Sequence, residues 1–452
     1  MIAKYRLKEY SMRKTTLSLA AFTCLAIGVH AEDTISDAFE KSKFTGQFRT
    51  FYIDRTYDGT VNNNRNSLAV GGHLGFETGE FNGLSFGARM YNTNLVDIHD
   101  DVVKTSSGVY NYDPSLFGGD FDSYTYLGEL YLNYKISNTN IKAGRQKLDT
   151  PMAGSDDARM LPNLFEAVVI TNNDIKDTTL IAAHVTKEAV GTFGNVYPAN
   201  DLGMISGYGY GYKNATSGKF RDMGVVAVGA PGADTSGVSI AAAIYSGVPN
   251  LKLQAWDYYA YDILNVLYLQ ADYGWDCKFA SGVKMNAAEQ YINERDIGDS
   301  LGGEIDSNFW AMKIGANYGN LNGFIAYSKT GSSNGTLNGG ILSPWGGMPA
   351  FTQAMVTRHQ FFPDTNSWKV NIGYNLKDLG LPVTASTYYT AFDIGAENTY
   401  VAGTAYDASE AGFDIAYKPT KDLELKLRAN FPRDFAPNQD MSEYRIIANY
   451  NF

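Results

Sequence analysis

The sequence predicts an all-β fold, a transmembrane antiparallel β-barrel of eighteen strands, on three observations. The chain ends on a strictly alternating decapeptide, EYRIIANYNF. An export leader opens it, yet no later apolar run reaches the ~18 residues that a spanning helix needs. Between these ends, short connections alternate with longer ones around an even number of alternating segments.

The last segment shows the pattern most plainly. Tyr444, Ile446, Ala448, Tyr450 and Phe452 fall on one face, and Glu443, Arg445, Ile447, Asn449 and Asn451 on the other. A soluble strand of this kind would leave an unpaired edge and an aromatic row at a frayed end. In a barrel it closes the wall against the first strand, apolar to lipid and polar to the lumen. The terminal Phe452 with alternating apolar residues before it is also similar to the signal read by the barrel-assembly machinery.

At the other end, residues 12–31 read as a leader within a signal peptide over 1–31, with Met12 an alternative start. Arg13 and Lys14 precede an apolar centre, and Val29-His30-Ala31 is a cleavage pattern. Removing its five basic residues and one acid leaves 32 basic against 47 acidic residues, a net charge of -15. That balance excludes a nucleic-acid partner. Cys24 leaves with the leader, so Cys277 has no cysteine to pair with. Beside Phe279 in an expected strand, it reads as a small lipid-facing residue.

Residues 32–42 read as a short periplasmic segment able to form one helical turn, and 43–452 as the barrel. Strands are expected at 43–55, 66–77, 83–94, 124–135, 140–147, 164–171, 178–187, 237–246 and 251–259. The others are expected at 263–272, 276–290, 306–318, 322–330, 366–375, 382–391, 409–418, 422–431 and 441–452. A nineteenth candidate, 224–230, is set aside because such barrels close with an even count. Turns such as TGEFNG, GNLNG and KPTKD carry the Gly, Asn, Asp and Pro that tight reversals need.

Alternation also sorts the charges. Inward positions near the closing seam hold Arg49, Arg55, Lys369, Lys418, Lys426, Arg428 and Arg445. Such a basic stripe in an acidic protein can guide carboxylates, Arg adding bidentate grip; ordinary lumen polarity is the plainer reading. Acids at Asp97, Asp100 and Asp101, and at Asp120 and Asp122, admit calcium or simply solvated loops, and no EF-hand spacing is present.

Enzyme motifs fail on context. Gly83-Leu84-Ser85-Phe86-Gly87 matches a nucleophile elbow but lies in an alternating strand, and the mature histidines have no metal-ligand spacing.

The run Ser155-Asp156-Asp157-Ala158-Arg159-Met160-Leu161-Pro162, with Phe165 and TNNDIK after it, resembles the third loop of OprD-type porins, including the major porins of epsilon-proteobacteria. The segments 307–331 and 366–382 and the C-terminal strands extend the resemblance. It implies an outer-membrane barrel whose third loop folds into the lumen opposite a basic ladder. Ser155, Asp156, Asp157 and Arg159 would then shape the constriction. The implied function is passive, partly selective diffusion of small hydrophilic, carboxylate-bearing solutes and ions. Implied partners are outer-membrane lipid and lipopolysaccharide, and a homotrimer is admitted. The alternative is an adhesin or structural barrel working through loops 188–236 and 331–365.

Overall fold

The computed structural model describes residues 34–58, 64–98, 111–118, 122–196, 218–229, 232–398 and 401–452. The leader expected over 1–31 lies outside the described residues. A short helix, α1 (Ile35–Glu40), comes first, its start fixed by a reciprocal Thr34–Asp37 capping box.

Eighteen strands follow. They are β1 (Lys43–Asp58), β2 (Arg65–Glu77), β3 (Leu84–Val96), β4 (Tyr124–Ile136), β5 (Thr139–Gln146) and β6 (Leu164–Asn172). Next come β7 (Thr178–Ala189), β8 (Val238–Tyr245), β9 (Leu251–Ala260), β10 (Leu264–Asp276), β11 (Val283–Asp296) and β12 (Asp306–Tyr318). The wall finishes with β13 (Leu321–Thr330), β14 (Thr365–Asn375), β15 (Val383–Ile394), β16 (Tyr406–Tyr417), β17 (Leu423–Arg433) and β18 (Asp440–Asn451). Each pairs antiparallel with its neighbour in sequence, and β1 pairs with β18 from Gln47↔Asn451 to Asp58↔Asp440. The wall is therefore closed, with no free edge for lipid to meet.

Alternation sets the faces as expected. On β1, Phe44 and Phe48 are 69% and 66% exposed, whereas Phe51 and Ile53 are buried inward. On β18, Tyr444, Ile446 and Tyr450 are exposed, and Glu443, Arg445 and Ile447 are buried. Aromatic residues mark the lower and upper margins of the outer band, as Tyr318 and Trp310 do on β12. The reversal between β2 and β3 uses Asn82 and Gly83 at φ 50 and 81, positions that Asn and Gly tolerate.

One sequence expectation is corrected here. Cys277 and Phe279 lie in the reversal before β11, where Phe279 is 99% exposed, so Cys277 belongs to a turn rather than a strand. The candidate 224–230, set aside above, forms no wall strand over its described residues, 224–229. Met223–Val228 is a second helix, α2, capped by Asp222 and ended by left-handed Gly229 (φ 72). Just before α2, Arg221–Asp222 pairs with Lys187–Glu188. Ser85 sits in an extended ladder opposite Asn133, without the strand-to-helix turn a nucleophile elbow needs.

The lumen is not evenly wet. Inward apolar side chains of β6 to β12, among them Phe165, Val185, Tyr258, Val266 and Phe309, form one buried cluster with loop residues Met152, Val226, Leu342 and Trp345. The third loop (147–163), α2 and the seventh loop (331–364) thus cover the inner wall on that side. The seam side keeps its charged positions.

Candidate functional site: a loop-lined lumen beside the seam

The third loop begins where β5 ends and turns at once on its own hydrogen bonds. Asp149 accepts from the Ser155 backbone N–H at 3.3 Å and from its hydroxyl at 2.5 Å. Ser155 is buried and anchors the loop. Asp156 stands at φ 35, a strained conformation for a residue with a Cβ, and its carboxylate reaches the Arg358 guanidinium at 3.3 Å.

Asp157 meets the seam directly. Its carboxylate accepts from Arg49 at 2.7 Å, and Arg49 also donates to the Arg159 carbonyl at 2.6 Å and to Asn449 at 2.9 Å. Burial alone would push the Asp157 carboxyl up. The Arg49 guanidinium outweighs this and holds it below the usual carboxylate range.

Arg159 does not face an opening. It is 1% exposed, donates to Ser115 at 3.1 Å and to Glu443 at 3.4 Å, and stacks on Phe193 at 5.2 Å. It ties the third loop to the second loop and to the wall.

Across the seam, Arg428 lies opposite Arg445, Arg445 opposite Ile53, and Arg49 opposite Asn449, so these cations share one stretch of wall. Most hold an acid. Arg55 pairs with Glu443 at 2.5 Å and Asp113 at 3.2 Å, Arg445 pairs with Glu443, Arg428 with Asp414, and Lys426 with Glu424 at 3.0 Å. Arg55 and Arg445 are fully buried in these pairs. Lys426 and Arg428 are more open to the lumen, at 25% and 24% exposure, whereas Arg49 is buried against the third loop. Lys369 bonds the Gln353 carbonyl at 2.5 Å and sits over the Tyr388 ring at 4.9 Å.

Lys418 departs from the inward expectation. It falls one residue beyond β16, in the reversal before β17, with its side chain 63% exposed beside Glu424 at 3.1 Å. Arg145 points outward at the upper end of β5, 3.7 Å from Glu166.

Sequence reading missed the seventh loop's part in the site. Arg358 is buried between Asp156, Met348 at 3.1 Å and the Phe193 ring at 4.5 Å. Glu410 on β16 accepts from three successive backbone N–H groups, Met355, Val356 and Thr357, at 3.1, 3.2 and 2.6 Å. His359 donates from its ring to the Phe435 carbonyl at 2.7 Å, and burial pushes its pKa down to about 4. The surface role considered for 331–365 meets a loop packed into the barrel; of 188–236, residues 197–217 and 230–231 lie outside the described residues. Asp120 also lies outside them. Among the described residues no three acids, histidines or cysteines converge to hold a metal, Asp122 included.

A closed wall, apolar outside and charged inside, narrowed by its own loops, defines a transmembrane channel of the outer-membrane class. The model for "outer membrane porin, OprD family" matches residues 36–452, and the chain belongs to that family. It is an outer-membrane porin, and permeation is by passive diffusion. Porin-like protein GalP of Pseudomonas putida is 24% identical over 448 residues, 96% of each chain. Among solved structures, Pseudomonas aeruginosa OpdK with vanillate has TM-score 0.71 and 18% identity, over 92% of this chain and 99% of that one. Pseudomonas aeruginosa OccK2 (OpdF) in complex with glucuronate has TM-score 0.67 and 20% identity, over 92% and 98%.

Proposed function

We propose that the porin favours small hydrophilic solutes carrying a carboxylate, passing them along the seam past Lys426 and Arg428, beside the Arg49–Asp157 contact of the third loop. The observation that carries this is the Arg49–Asp157 contact, which brings the basic wall and the acidic loop tip together. Cations on one side and carboxylates on the other set a transverse field that orients a solute with an anionic end. Lys426 and Arg428 form the accessible part of the ladder, Arg49 is buried against the third loop, and Arg55 and Arg445 support it from behind. In the constriction Asp157 is the exposed acid, and Ser155, Asp156 and Arg159 hold the loop in place. Vanillate and glucuronate, named with two structural relatives, are both carboxylates. The protein acts as a channel and not as an enzyme, Phe452 serves recognition by the assembly machinery, and no calcium is required.

Reversal potential in a salt gradient across a planar bilayer tests the reading. Arg49→Ala with Arg428→Ala is expected to shift selectivity toward cations and to weaken block by benzoate. An unchanged reversal potential would remove the ladder from the mechanism.

A further inference from the structure

The extracellular rim of the wall is uneven. β4 pairs with β3 as far as Thr93↔Tyr124, but its ladder with β5 stops at Leu130↔Arg145. Residues 124–129 of β4 thus rise about 20 Å beyond the β4–β5 ladder. β5 ends at Gln146, β6 begins at Leu164, and the ladder between β6 and β7 ends at Ala189. The wall therefore dips beside β4, where the third loop leaves it.

Residues 218–222, from the connection between β7 and β8, cross this dip. At one end Arg221 and Asp222 pair with Glu188 and Lys187 of β7. At the other, a Cβ on Gly218 would lie 2.4 Å from the Tyr126 ring, so the strap rests on the tall part of β4. Between the two ends stands Phe220. Its ring takes the Arg145 guanidinium at 4.3 Å and also packs on the lumen-side cluster that includes Tyr91, Met160, Leu161 and Leu164. A ring that touches both an outward cation and the lining of the lumen lies across the top of the wall and closes the dip.

Outside, the dip is edged by positive charge. Arg145, Glu166 and Lys187 are consecutive in register across β5, β6 and β7, one outward position above Val168 and His184. Arg145 and Lys187 share the Glu166 carboxylate at 3.7 and 3.2 Å, and exposed Lys219 on the strap adds a third cation. Below this row the face turns apolar, with Leu132, Val168 and Ile170 exposed. The excess positive charge sits at the boundary between lipid and water. Inside, Met160 leads on to the seam, its carbonyl accepting from Arg49 at 3.3 Å.

We infer that the dip is a side entrance for amphipathic carboxylates, acids whose alkyl or aryl body collects them in the outer leaflet. Arg145 and Lys187 hold the carboxylate at the boundary by charge-assisted contacts. The apolar body displaces the Phe220 ring, and the acid enters the lumen beside Met160 and Arg49. The entrance rests on the carboxylate-passing lumen proposed above, which it feeds.

Single channels of the full-length protein in a planar phospholipid bilayer provide the test, with butanoate or octanoate added at pH 7 on the loop side. Each added methylene raises the interfacial concentration of such an acid about fourfold, whereas a route from bulk water meets both acids at equal concentration. Octanoate is expected to interrupt the current at least ten times as often as butanoate. Arg145→Gln with Lys187→Gln should bring octanoate down to the butanoate frequency, and Phe220→Ala should raise octanoate at least threefold. Equal frequencies for the two acids in the parent would overturn the entrance. So would an octanoate frequency untouched by the charge pair or by Phe220→Ala. The charge pair lies on the outer surface and decides the matter even where Phe220→Ala does not fold. Failure of the solute reading gives a different pattern: the seam variants keep the parent's reversal potential, while the octanoate-to-butanoate ratio still reads the entrance.

Discussion

Glu443 is the side chain on which the seam's charges converge. Fully buried on β18, it faces Arg55, Arg445 and Arg159, and those guanidiniums have few other acids. Removing one partner from a buried ion cluster costs more than the pair contributes, because the others stay desolvated. Glu443→Gln is expected to destabilise the folded barrel by about 3–5 kcal/mol, read as a lowered urea midpoint in lipid vesicles. Lys418→Ala, at the exposed reversal, should stay within about 0.5 kcal/mol of the parent. Which face each residue takes was legible in the sequence, since alternation fixes it for Arg49, Arg428 and Arg445. Their compensation was not legible. Asp157 lies 108 residues from Arg49, and Glu443 lies 388 residues from Arg55, so no local spacing records these pairs.

Among the elements, the strands were readable and the inward loops were not. Strands carry a period of two that any register preserves, whereas the seventh loop has no period and is placed by contacts to other elements. Arg358 and Glu410 reach their partners only once that loop is inside. The third and seventh loops join where the Gly154 N–H donates to the Trp345 carbonyl at 2.9 Å, next to Gly346 at φ 76. A Cβ on Gly346 would lie 2.1 Å from the Asn163 side chain and 2.5 Å from the Gly154 carbonyl, so Gly346→Val should part the two loops. Larger and noisier single-channel conductance is the expected signature.

Acid should act on the same loops in two stages. His359 binds a proton at about 4 when the loop is packed and near 6.5 when it is released. Released loop therefore holds more protons between those values, and packing weakens as pH falls through that window, by up to roughly 3 kcal/mol. Asp157 has the opposite charge type but the same outcome at lower pH. Its packed pKa lies below the ordinary 3.8, so its contribution is intact above 3.8 and fades only under stronger acid. His359→Gln should remove the first stage of acid-induced channel noise and leave the second.

For the whole molecule, everything depends on joining residues almost a chain length apart. The first strand meets the last from Asp58 back to Gln47, and the final pair is made by Phe452 itself. Its N–H donates to the Gly46 carbonyl at 3.0 Å, and its carbonyl accepts from the Gly46 N–H at 2.8 Å. The Phe452 ring lies over Gly46, where a Cβ would come within 2.3 Å of it, and 5.4 Å from the Phe48 ring. Glycine at 46 thus makes room for the terminal ring on the lipid side. Contacts of such long range form late, because the chain between them must be ordered before they give any return. Gly46→Val should displace the ring but leave both backbone bonds, slowing closure modestly. Deleting Phe452 removes ring and bonds together and should slow it further. Refolding into vesicles, followed by the shift in gel mobility of unheated samples, gives the order directly. If the Phe452 deletion closed as fast as the parent, the last strand would not limit barrel formation.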